Sequence, residues 1–183
     1  MVTRRRTSRL LMLDEDDRLL LLCGRDPRAP GARWWFTVGG GVEAGEDYVT
    51  AALREVREET GLRLPAHRLG PVVWTREALF TVDGHRFDQY EEYRPVRVLP
   101  EEAAAMRFEQ VEACHGHRWW SRGALATTAE TVRPRGVGQL LNDLLSVGPA
   151  SGAGPRFLGR FDEDAEPDVT PPPGYASSRP GGR

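Results

Sequence analysis

The sequence predicts an α/β sandwich, a fold in which helices pack on a β-sheet. Short apolar segments of strand-like composition alternate with segments of helical periodicity, and glycine-containing turns separate neighbouring strands. One segment in particular carries its charged and apolar residues on different faces, so a helix there can cover a sheet and still meet solvent. At 183 residues the chain is also long enough to bury a core without disulfides.

The N-terminal part is predicted to form strands that lead into a glycine-rich segment. Residues 9–13 and 18–23 are apolar runs on either side of the acidic segment 14–17, which predicts a β-hairpin. Residues 34–38 are aromatic and β-branched, a composition that favours a strand. This strand runs directly into three consecutive glycines, Gly39, Gly40 and Gly41.

A helix is predicted between Asp47 and Gly61. An acidic residue such as Asp47 is favoured at a helix N-terminus, and Gly61 suits the left-handed conformation that often ends a helix. The apolar positions at helical spacing, which we expect to pack on the sheet, are Val49, Ala52, Leu53 and Val56. The acidic residues of the same segment fall on another face.

The second half of the chain continues with strand and helix signals. Strands are predicted at residues 72–75, 79–82, 86–98 and 118–121, and a closing amphipathic helix at residues 136–147. Asp83 and Gly84 form a strong hairpin-turn signal between two of these strands. Residues 101–112 are compatible with either a short helix or a loop.

The last 35 residues have a different composition. From residue 149 onward, 13 of the 35 residues are proline or glycine, which predicts a flexible tail because such a segment buries too little apolar surface to offset the entropy of ordering. Phe157, Leu158 and Phe161 are exceptions that could dock on the domain or on a partner subunit. The predicted organisation is therefore one domain at residues 1–148 and a tail at residues 149–183.

Composition restricts the partners and the compartment. The formal net charge is −2, so the chain lacks the overall basic character expected of a nucleic-acid-binding protein. The two cysteines show no disulfide framework, which favours a reducing compartment. Because neither an export signal nor an apolar run of membrane-spanning length is seen, we expect a cytoplasmic protein without a membrane partner.

A cluster of acidic residues in the predicted helix is the strongest functional signal. Glu55, Glu58 and Glu59 stand at positions i, i+3 and i+4, which are neighbours on one face of a helix. Like charges placed there repel, so they do not stabilise the helix by themselves. A hard divalent cation such as Mg²⁺ removes that repulsion, and it is typically shared between carboxylates and substrate phosphates.

The whole segment resembles the signature of the Nudix hydrolases, G-x5-E-x7-R-E-U-x-E-E-x-G-U, in which U is a bulky aliphatic residue. Every fixed position is filled, by Gly40, Glu46, Arg54, Glu55, Val56, Glu58, Glu59, Gly61 and Leu62. The resemblance covers residues 8–147 and is specific at residues 40–62. It implies an α/β/α sandwich with a mixed central sheet.

The resemblance also implies a chemistry and assigns roles to residues. The expected reaction is hydrolysis of a diphosphate bond in a nucleoside diphosphate linked to another moiety, with Mg²⁺, or alternatively Mn²⁺, as cofactor. The family's metal ligands and catalytic carboxylates correspond to Glu55, Glu58 and Glu59. Arg54 is expected to orient a carboxylate, and Glu46 to support the junction between loop and helix. Residues 39–41 are expected to let the backbone approach a metal or phosphate.

Members of the family differ in which glutamate acts as general base, so several candidates stay open here. One is Glu55 within the motif. Another is a carboxylate from a later segment, such as Glu109 or Glu112. Glu112 is preferred because the family often keeps a mobile catalytic loop where residues 101–117 lie. Glu91 and Glu92 are further candidates, and strand alternation lets at most one of them face the site.

Two other functions are compatible with the resemblance. One is a non-catalytic nucleotide-sensing protein of the same fold, although such proteins often lose the motif carboxylates that this sequence keeps. The other is an RNA 5′-pyrophosphohydrolase, which would favour a basic surface that a net charge of −2 does not support. We expect a small-molecule substrate and no DNA, and a homodimer is compatible with the family.

Overall fold

The computed structural model describes residues 2–108, 115–148 and 154–165. Its strands are β1 (Val2–Leu13), β2 (Leu19–Asp26), β3 (Ala29–Gly41), β4 (Trp74–Val82), β5 (His85–Arg97), β6 (His117–Trp120), β7 (Val132–Arg133) and β8 (Arg156–Asp162). Its helices are α1 (Tyr48–Thr60), α2 (Pro100–Ala105), α3 (Arg122–Thr127) and α4 (Val137–Val147), with a 3-10 turn at Ala66–Arg68.

Within these residues the strands form one eight-stranded sheet of order β6-β2-β3-β1-β5-β4-β8, with β7 paired to β3. The sheet is mixed: β1 runs parallel to β5 and antiparallel to β3, and β4 runs parallel to β8. The antiparallel pairing of β1 with β3 brings the three glycines at the end of β3 beside residues 7–9, in the middle of β1. The predicted mixed sheet is therefore confirmed.

The sheet separates two apolar cores, and consecutive residues of β1 alternate between them. Leu10 and Met12 belong to the core that α1 covers, whereas Leu11 and Leu13 belong to the core beneath α3 and α4. This is the two-residue period of an extended strand, and a strand buried on both faces has an uninterrupted apolar sequence. Helices on both faces make the fold an α/β/α sandwich, as predicted.

Most strands are longer than the sequence signals indicated. The predicted strands 72–75 and 79–82 are parts of the single strand β4, which forms a hairpin with β5. Its turn residues Asp83 and Gly84 have φ angles of 49° and 73°, the positive values that a tight two-residue hairpin turn requires. The hairpin predicted between the first two strands is only partly present. Here β1 and β2 pair at one register position, Leu13 with Leu19, because β1 lies between β3 and β5.

The region predicted as a flexible tail contributes a strand. Strand β8 pairs in parallel with β4 and extends the edge of the sheet, and the Leu158 side chain packs against the core beneath α4. The average composition of residues 149–183 conceals this short strand, which covers an edge that would otherwise expose unpaired backbone groups. The sheet thus continues past the predicted boundary at residue 148, while residues 149–153 and 166–183 lie outside the described residues.

None of the helices in the described ranges is both long enough and apolar enough to cross a membrane.

Candidate active site

Helix α1 places the motif carboxylates next to the glycines at the C-terminal end of β3. It begins as predicted, with the Asp47 carboxylate accepting a hydrogen bond from the Thr50 backbone N–H at 2.7 Å, and it ends at Gly61 with a φ of 73°. The residues that it buries against the sheet are Ala51, Ala52, Val56 and Thr60. Because this face fixes the rotation of the helix, the acidic residues are directed towards the end of β3.

Arg54 gathers three of the motif glutamates around one guanidinium group. Its Nε and Nη2 atoms donate to the two carboxylate oxygens of Glu46 at 2.9 and 3.0 Å. Its Nη1 atom donates to Glu55 at 2.8 Å and to Glu58 at 3.2 Å, and Nη2 also donates to the Gly41 carbonyl at 2.8 Å. The hydrogen bonds from Arg54 lower the pKa of Glu46, and the same bonds raise the pKa of Arg54. Arg54 therefore ties the glycine segment to the helix, and Glu46 lies at the junction between the two.

Glu59 has a different environment from the other motif glutamates. Its Oε2 atom accepts a hydrogen bond from the Gly39 backbone N–H at 2.8 Å. Burial raises the pKa of Glu59 to about 7. The hydrogen bond from Gly39 and the positive charge of Arg9 act in the opposite direction, and the negative charges of Glu55 and Glu58 raise the pKa further. The Gly39 hydrogen bond and the charge of Arg9 therefore stabilise the ionised form of Glu59 less than water does in an exposed glutamate.

The three glycines differ in how strictly their positions require glycine. Gly39 has a φ of 127°, and a Cβ atom there would overlap the Ser8 carbonyl oxygen of β1. A Cβ atom at Gly40 would overlap the Glu55 carboxylate. Gly41 has open space around it and contributes its carbonyl to Arg54. The Glu59 carboxylate therefore contacts the backbone at Gly39, and the Glu55 carboxylate lies against Gly40. A side chain at Gly40 would displace Glu55.

Arg9 is a residue of the site that the sequence analysis missed. It lies opposite Gly39 in the pairing of β1 with β3, and its Nη1 atom donates to the Gly39 carbonyl at 2.6 Å and to the Thr37 carbonyl at 3.3 Å. Its Nε atom donates to Glu91 at 3.2 Å. The available signal was the position of Arg9 directly before the apolar run of residues 10–13, because a charge next to a buried segment needs acceptors.

Glu91 is a buried structural carboxylate rather than a candidate base. Its side chain is 1% exposed and accepts hydrogen bonds from Arg76, Gln89 and Tyr93 as well as from Arg9. Burial alone would raise the pKa of Glu91, but the charges of Arg76 and Arg9 outweigh it and lower the pKa to about 2. A carboxylate held so firmly in its ionised form is a poor proton acceptor at neutral pH.

The other candidate bases stand differently. Glu92 pairs with Arg94 at 2.9 Å on the same strand. Glu109 and Glu112 lie outside the described residues. Of the candidates that the structure describes, Glu55 is the one that contacts the glycine segment and Arg54 together.

The predicted metal ligands share a helix face but do not form a closed cage. Glu55 and Glu58 meet at Arg54, whereas Glu59 turns to Gly39. Within the part of the chain that the structure describes, no three histidine, cysteine, aspartate or glutamate side chains are arranged to hold a metal ion. The donor chemistry nonetheless fits a hard divalent cation, since the available atoms are carboxylate oxygens and Glu59 carries a negative charge that the protein compensates poorly.

Comparison with known proteins agrees with the family resemblance of the motif. The sequence model of the NUDIX domain matches residues 3–138. A prenyl-diphosphate phosphatase from Methanosarcina mazei is 32% identical over 118 residues, which are 60% of this chain and 66% of the relative. The aligned region is thus slightly less than two thirds of that relative's length.

Solved structures share the fold at lower sequence identity. A MutT protein from Methanosarcina mazei aligns with a TM-score of 0.56 and 18% identity, covering 79% of this chain and 95% of its own. A MutT NUDIX hydrolase from Burkholderia pseudomallei aligns with a TM-score of 0.55 and 18% identity, covering 77% of this chain and 97% of its own. At these identities the likeness concerns the architecture of the sheet and helices.

Proposed function

Since this chain belongs to the NUDIX domain family, we propose that it is a divalent-metal-dependent pyrophosphohydrolase acting on a nucleoside diphosphate linked to another moiety. Relatives named as hydrolases and as a diphosphate phosphatase support cleavage of a diphosphate bond. The net charge of −2 favours a small-molecule substrate over DNA, and the two cysteines without a disulfide framework favour the cytoplasm.

The observation that carries the proposal is the environment of Glu59. A half-buried glutamate with a pKa near 7 is an unfavourable feature in a protein that never binds a cation there. It lies beside Glu55, and both carboxylates touch a backbone segment whose glycines leave room for a ligand. A divalent cation bound beside Glu59 would stabilise its ionised form. This is the reason for proposing Glu59 as a metal ligand.

Each residue of the site would have a separate role in the proposed hydrolysis. Glu55, Glu58 and Glu59 would hold the metal, which supplies charge neutralisation of the diphosphate and a bound water of lowered pKa. Arg54 keeps Glu55 and Glu58 in position through directed hydrogen bonds. The Gly39 N–H fixes the orientation of Glu59. Glu55 and Glu112 are the candidates for accepting the proton of the attacking water.

A prenyl diphosphate is a second candidate substrate. It is favoured by the name of the relative that is 32% identical, a prenyl-diphosphate phosphatase. The two substrate classes share the diphosphate and differ in the group attached to it, which is polar in a nucleotide and apolar in a prenyl chain.

The test is a substrate panel assayed with Mg²⁺, comprising nucleoside triphosphates, ADP-ribose, NADH, nucleotide sugars, a prenyl diphosphate and 5′-triphosphate RNA. Phosphate, pyrophosphate and nucleotide products would be measured for the wild type and for Glu59→Gln. Glu15→Gln is the matched control, because Glu15 is an exposed glutamate in the turn between β1 and β2.

We expect one substrate class to be cleaved, with the activity lost in Glu59→Gln and kept in Glu15→Gln. Equal activity of Glu59→Gln and the wild type would contradict the assignment of the site. Absence of cleavage across the panel, combined with tight binding of a nucleotide, would favour a sensing function instead.

A further inference from the structure

A buried carboxylate near the C-terminal end of the described chain, that of Glu163, has no role in the chemistry described above. Glu163 directly follows β8, and its side chain is almost fully buried. Its carboxylate pairs with Arg76 at 2.8 Å, with Arg133, and with Arg135 at 3.7 Å. These arginines lie on β4, on β7 and in the segment before α4, so Glu163 joins the end of β8 to three separate parts of the fold.

A continuous series of polar contacts leads from Glu163 towards the catalytic motif. The Arg76 guanidinium donates from Nη1 to Glu163 and from Nε to Glu91. Glu91 also accepts a hydrogen bond from Arg9 at 3.2 Å, and Arg9 donates to the Gly39 carbonyl at 2.6 Å. We call this series the buried relay, and its members are Glu163, Arg76, Glu91, Arg9 and Gly39.

Gly39 is the residue at which the buried relay meets the motif. Its carbonyl accepts the hydrogen bond from Arg9, and its backbone N–H donates to the Glu59 carboxylate at 2.8 Å. Both polar groups of one residue are therefore engaged, one by the relay and one by the motif. A shift of the carbonyl is transmitted across a single α-carbon to the N–H group that orients Glu59.

The charged members of the relay share their partners. Arg76 divides its guanidinium between Glu163 and Glu91, and Glu91 divides its carboxylate between Arg76 and Arg9. The side chains of all four are at most 12% exposed, so water cannot take the place of a lost partner. In such surroundings the loss of one charge alters the pairing of the charges that remain.

Loss of the Glu163 charge would therefore act on Gly39 through the shared groups. Arg76 would pair with Glu91 alone and draw that carboxylate away from Arg9. Arg9 would then lose part of the contact that fixes its guanidinium, and the Gly39 carbonyl would be held less firmly.

The acidic residues on either side of Glu163 contact a different arginine. Asp162 and Asp164 each pair with Arg86 at 2.6 Å. Asp164 also accepts a hydrogen bond from the Thr81 hydroxyl at 2.7 Å. These contacts fasten the segment to the hairpin of β4 and β5, whereas Glu163 contacts the relay. The two roles can therefore be separated by single substitutions.

We propose that Glu163 is a positioning residue of the active site, and that docking of β8 completes the buried relay that holds Gly39 against Glu59. The inference rests on the proposed function for the role of Glu59 as a metal ligand, whereas the hold on Gly39 does not depend on catalysis. The two states involved are β8 docked and β8 undocked. Because coupling between two sites is reciprocal, metal binding at Glu59 and docking of β8 should favour each other.

The first test measures the hold on Gly39 in metal-free protein. Amide hydrogen exchange of Gly39 is followed by NMR in EDTA for the wild type, for Glu163→Gln and for Asp164→Asn. We expect exchange about tenfold faster in Glu163→Gln, because the backbone at Gly39 opens locally more often. The matched control Asp164→Asn removes the same charge from the same segment and should exchange as the wild type does.

Amides of β2, a strand without relay residues, report opening of the whole domain in the same spectra. They should keep their protection in all three proteins. Three outcomes would overturn the proposal: unchanged exchange of Gly39 in Glu163→Gln, equal acceleration in Asp164→Asn, or acceleration of Gly39 and β2 together. The last two would assign the effect to the docking of β8 or to global stability.

The second test measures the affinity for Mg²⁺ by calorimetry without substrate. Substitution of a residue that supports a metal ligand typically weakens metal binding by about 10–100-fold, and we expect a loss of about tenfold for Glu163→Gln. Glu163→Asp, which keeps the charge on a shorter side chain, should recover part of the affinity. If Glu163→Gln does not fold, both measurements are made on Glu163→Asp, for which smaller effects of the same sign are expected.

The variant Glu59→Gln separates failure of this inference from failure of the proposed function. If Glu59→Gln binds Mg²⁺ as the wild type does, the proposed metal site fails, while faster Gly39 exchange in Glu163→Gln would still establish the relay. If Glu59→Gln loses Mg²⁺ binding and Glu163→Gln keeps full affinity, the proposed function stands and the positioning role of Glu163 is overturned.

Discussion

Two clusters of arginine and glutamate residues occupy this fold, and they differ in their access to water. The motif cluster consists of Glu46, Arg54, Glu55 and Glu58. The sheet cluster consists of Arg9, Arg76, Glu91 and Glu163. The side chains of the motif cluster are 14% to 54% exposed, whereas those of the sheet cluster are 1% to 12% exposed.

The same pairing of charges has different consequences in the two places. Near the surface, water screens the charges, so each pair contributes little to stability and its carboxylates stay available to a ligand. In the interior each charge depends on its partners, and removing one leaves the others without compensation. The clusters are connected, because Arg9 contacts both Glu91 and the Gly39 carbonyl, while the Gly39 N–H contacts Glu59. The sheet cluster therefore holds in place the Gly39 backbone that Glu59, a carboxylate of the motif, contacts.

The largest effect on stability is expected for Glu91→Gln. This substitution leaves Arg76 and Arg9 as buried cations without their shared carboxylate, and should lower the free energy of unfolding by about 3–5 kcal/mol. Urea denaturation measures the change. The neighbouring Glu92→Gln is the matched control, with an expected loss of less than about 1 kcal/mol. A similar small loss for both variants would remove the distinction between the clusters.

A pH-dependent effect is expected for Glu59, which lies between the two clusters. The pKa of Glu59 is about 7 in the folded protein and about 4.5 in an unperturbed glutamate, so the native state binds more protons between these values. The stability that this group contributes is present below about pH 4.5 and is lost as the pH rises through 7. Metal-free wild type should therefore lose up to about 3 kcal/mol relative to Glu59→Gln between pH 4.5 and pH 8.

Urea denaturation in EDTA at several pH values measures this difference. Adding Mg²⁺ at pH 8 should restore the stability of the wild type and leave Glu59→Gln unchanged. Parallel pH profiles for the two proteins would show that Glu59 titrates normally, and the argument for a cation at this carboxylate would then fail.

The two clusters also show what could be predicted from the sequence. The motif cluster is local: Glu46 and Arg54 are eight residues apart, and the helix that carries the other members has its boundaries marked by Asp47 and Gly61. Helical spacing and capping preferences therefore predict which side chains share a face. The contact of Gly39 with Glu59 spans 20 residues and needs the packing of the helix on the sheet, so its hydrogen bond could not be derived from the motif.

The sheet cluster is non-local and was not predictable in the same way. Arg9 and Glu91 are separated by 82 residues, and Arg76 and Glu163 by 87. Only the order of strands, with β5 beside β1 and β8 beside β4, brings these residues together. Strand order does not follow from the periodicity of individual strands. For the same reason the average composition of residues 149–183 gave no indication that Glu163 neutralises buried arginines.

An intermediate effect is expected at the glycines that join the clusters. Gly39→Ala places a methyl group on the Ser8 carbonyl oxygen, a backbone atom of β1, at a φ of 127°, and we expect a loss of about 1–3 kcal/mol in the free energy of unfolding. Gly41→Ala meets open space and should change stability by less than about 0.5 kcal/mol. Denaturation of the two variants in parallel measures the difference. Equal tolerance of both substitutions would mean that the backbone at Ser8 and Gly39 moves aside without cost.

The smallest effect on stability, with a large effect on activity, is expected for Arg54→Gln. The motif cluster is partly exposed, so losing its central cation should change the free energy of unfolding by no more than about 1 kcal/mol. Glu55 and Glu58 would lose the hydrogen bonds that orient them, and residues in such supporting roles typically change metal affinity or activity by about 10–100-fold. Arg54→Lys keeps the charge but cannot hold Glu46 with two parallel hydrogen bonds, so it should recover little activity. Urea denaturation and the Mg²⁺ dependence of the rate are measured on the same preparations. A destabilisation as large as that of Glu91→Gln would show that the exposed cluster holds the fold together as the buried one does.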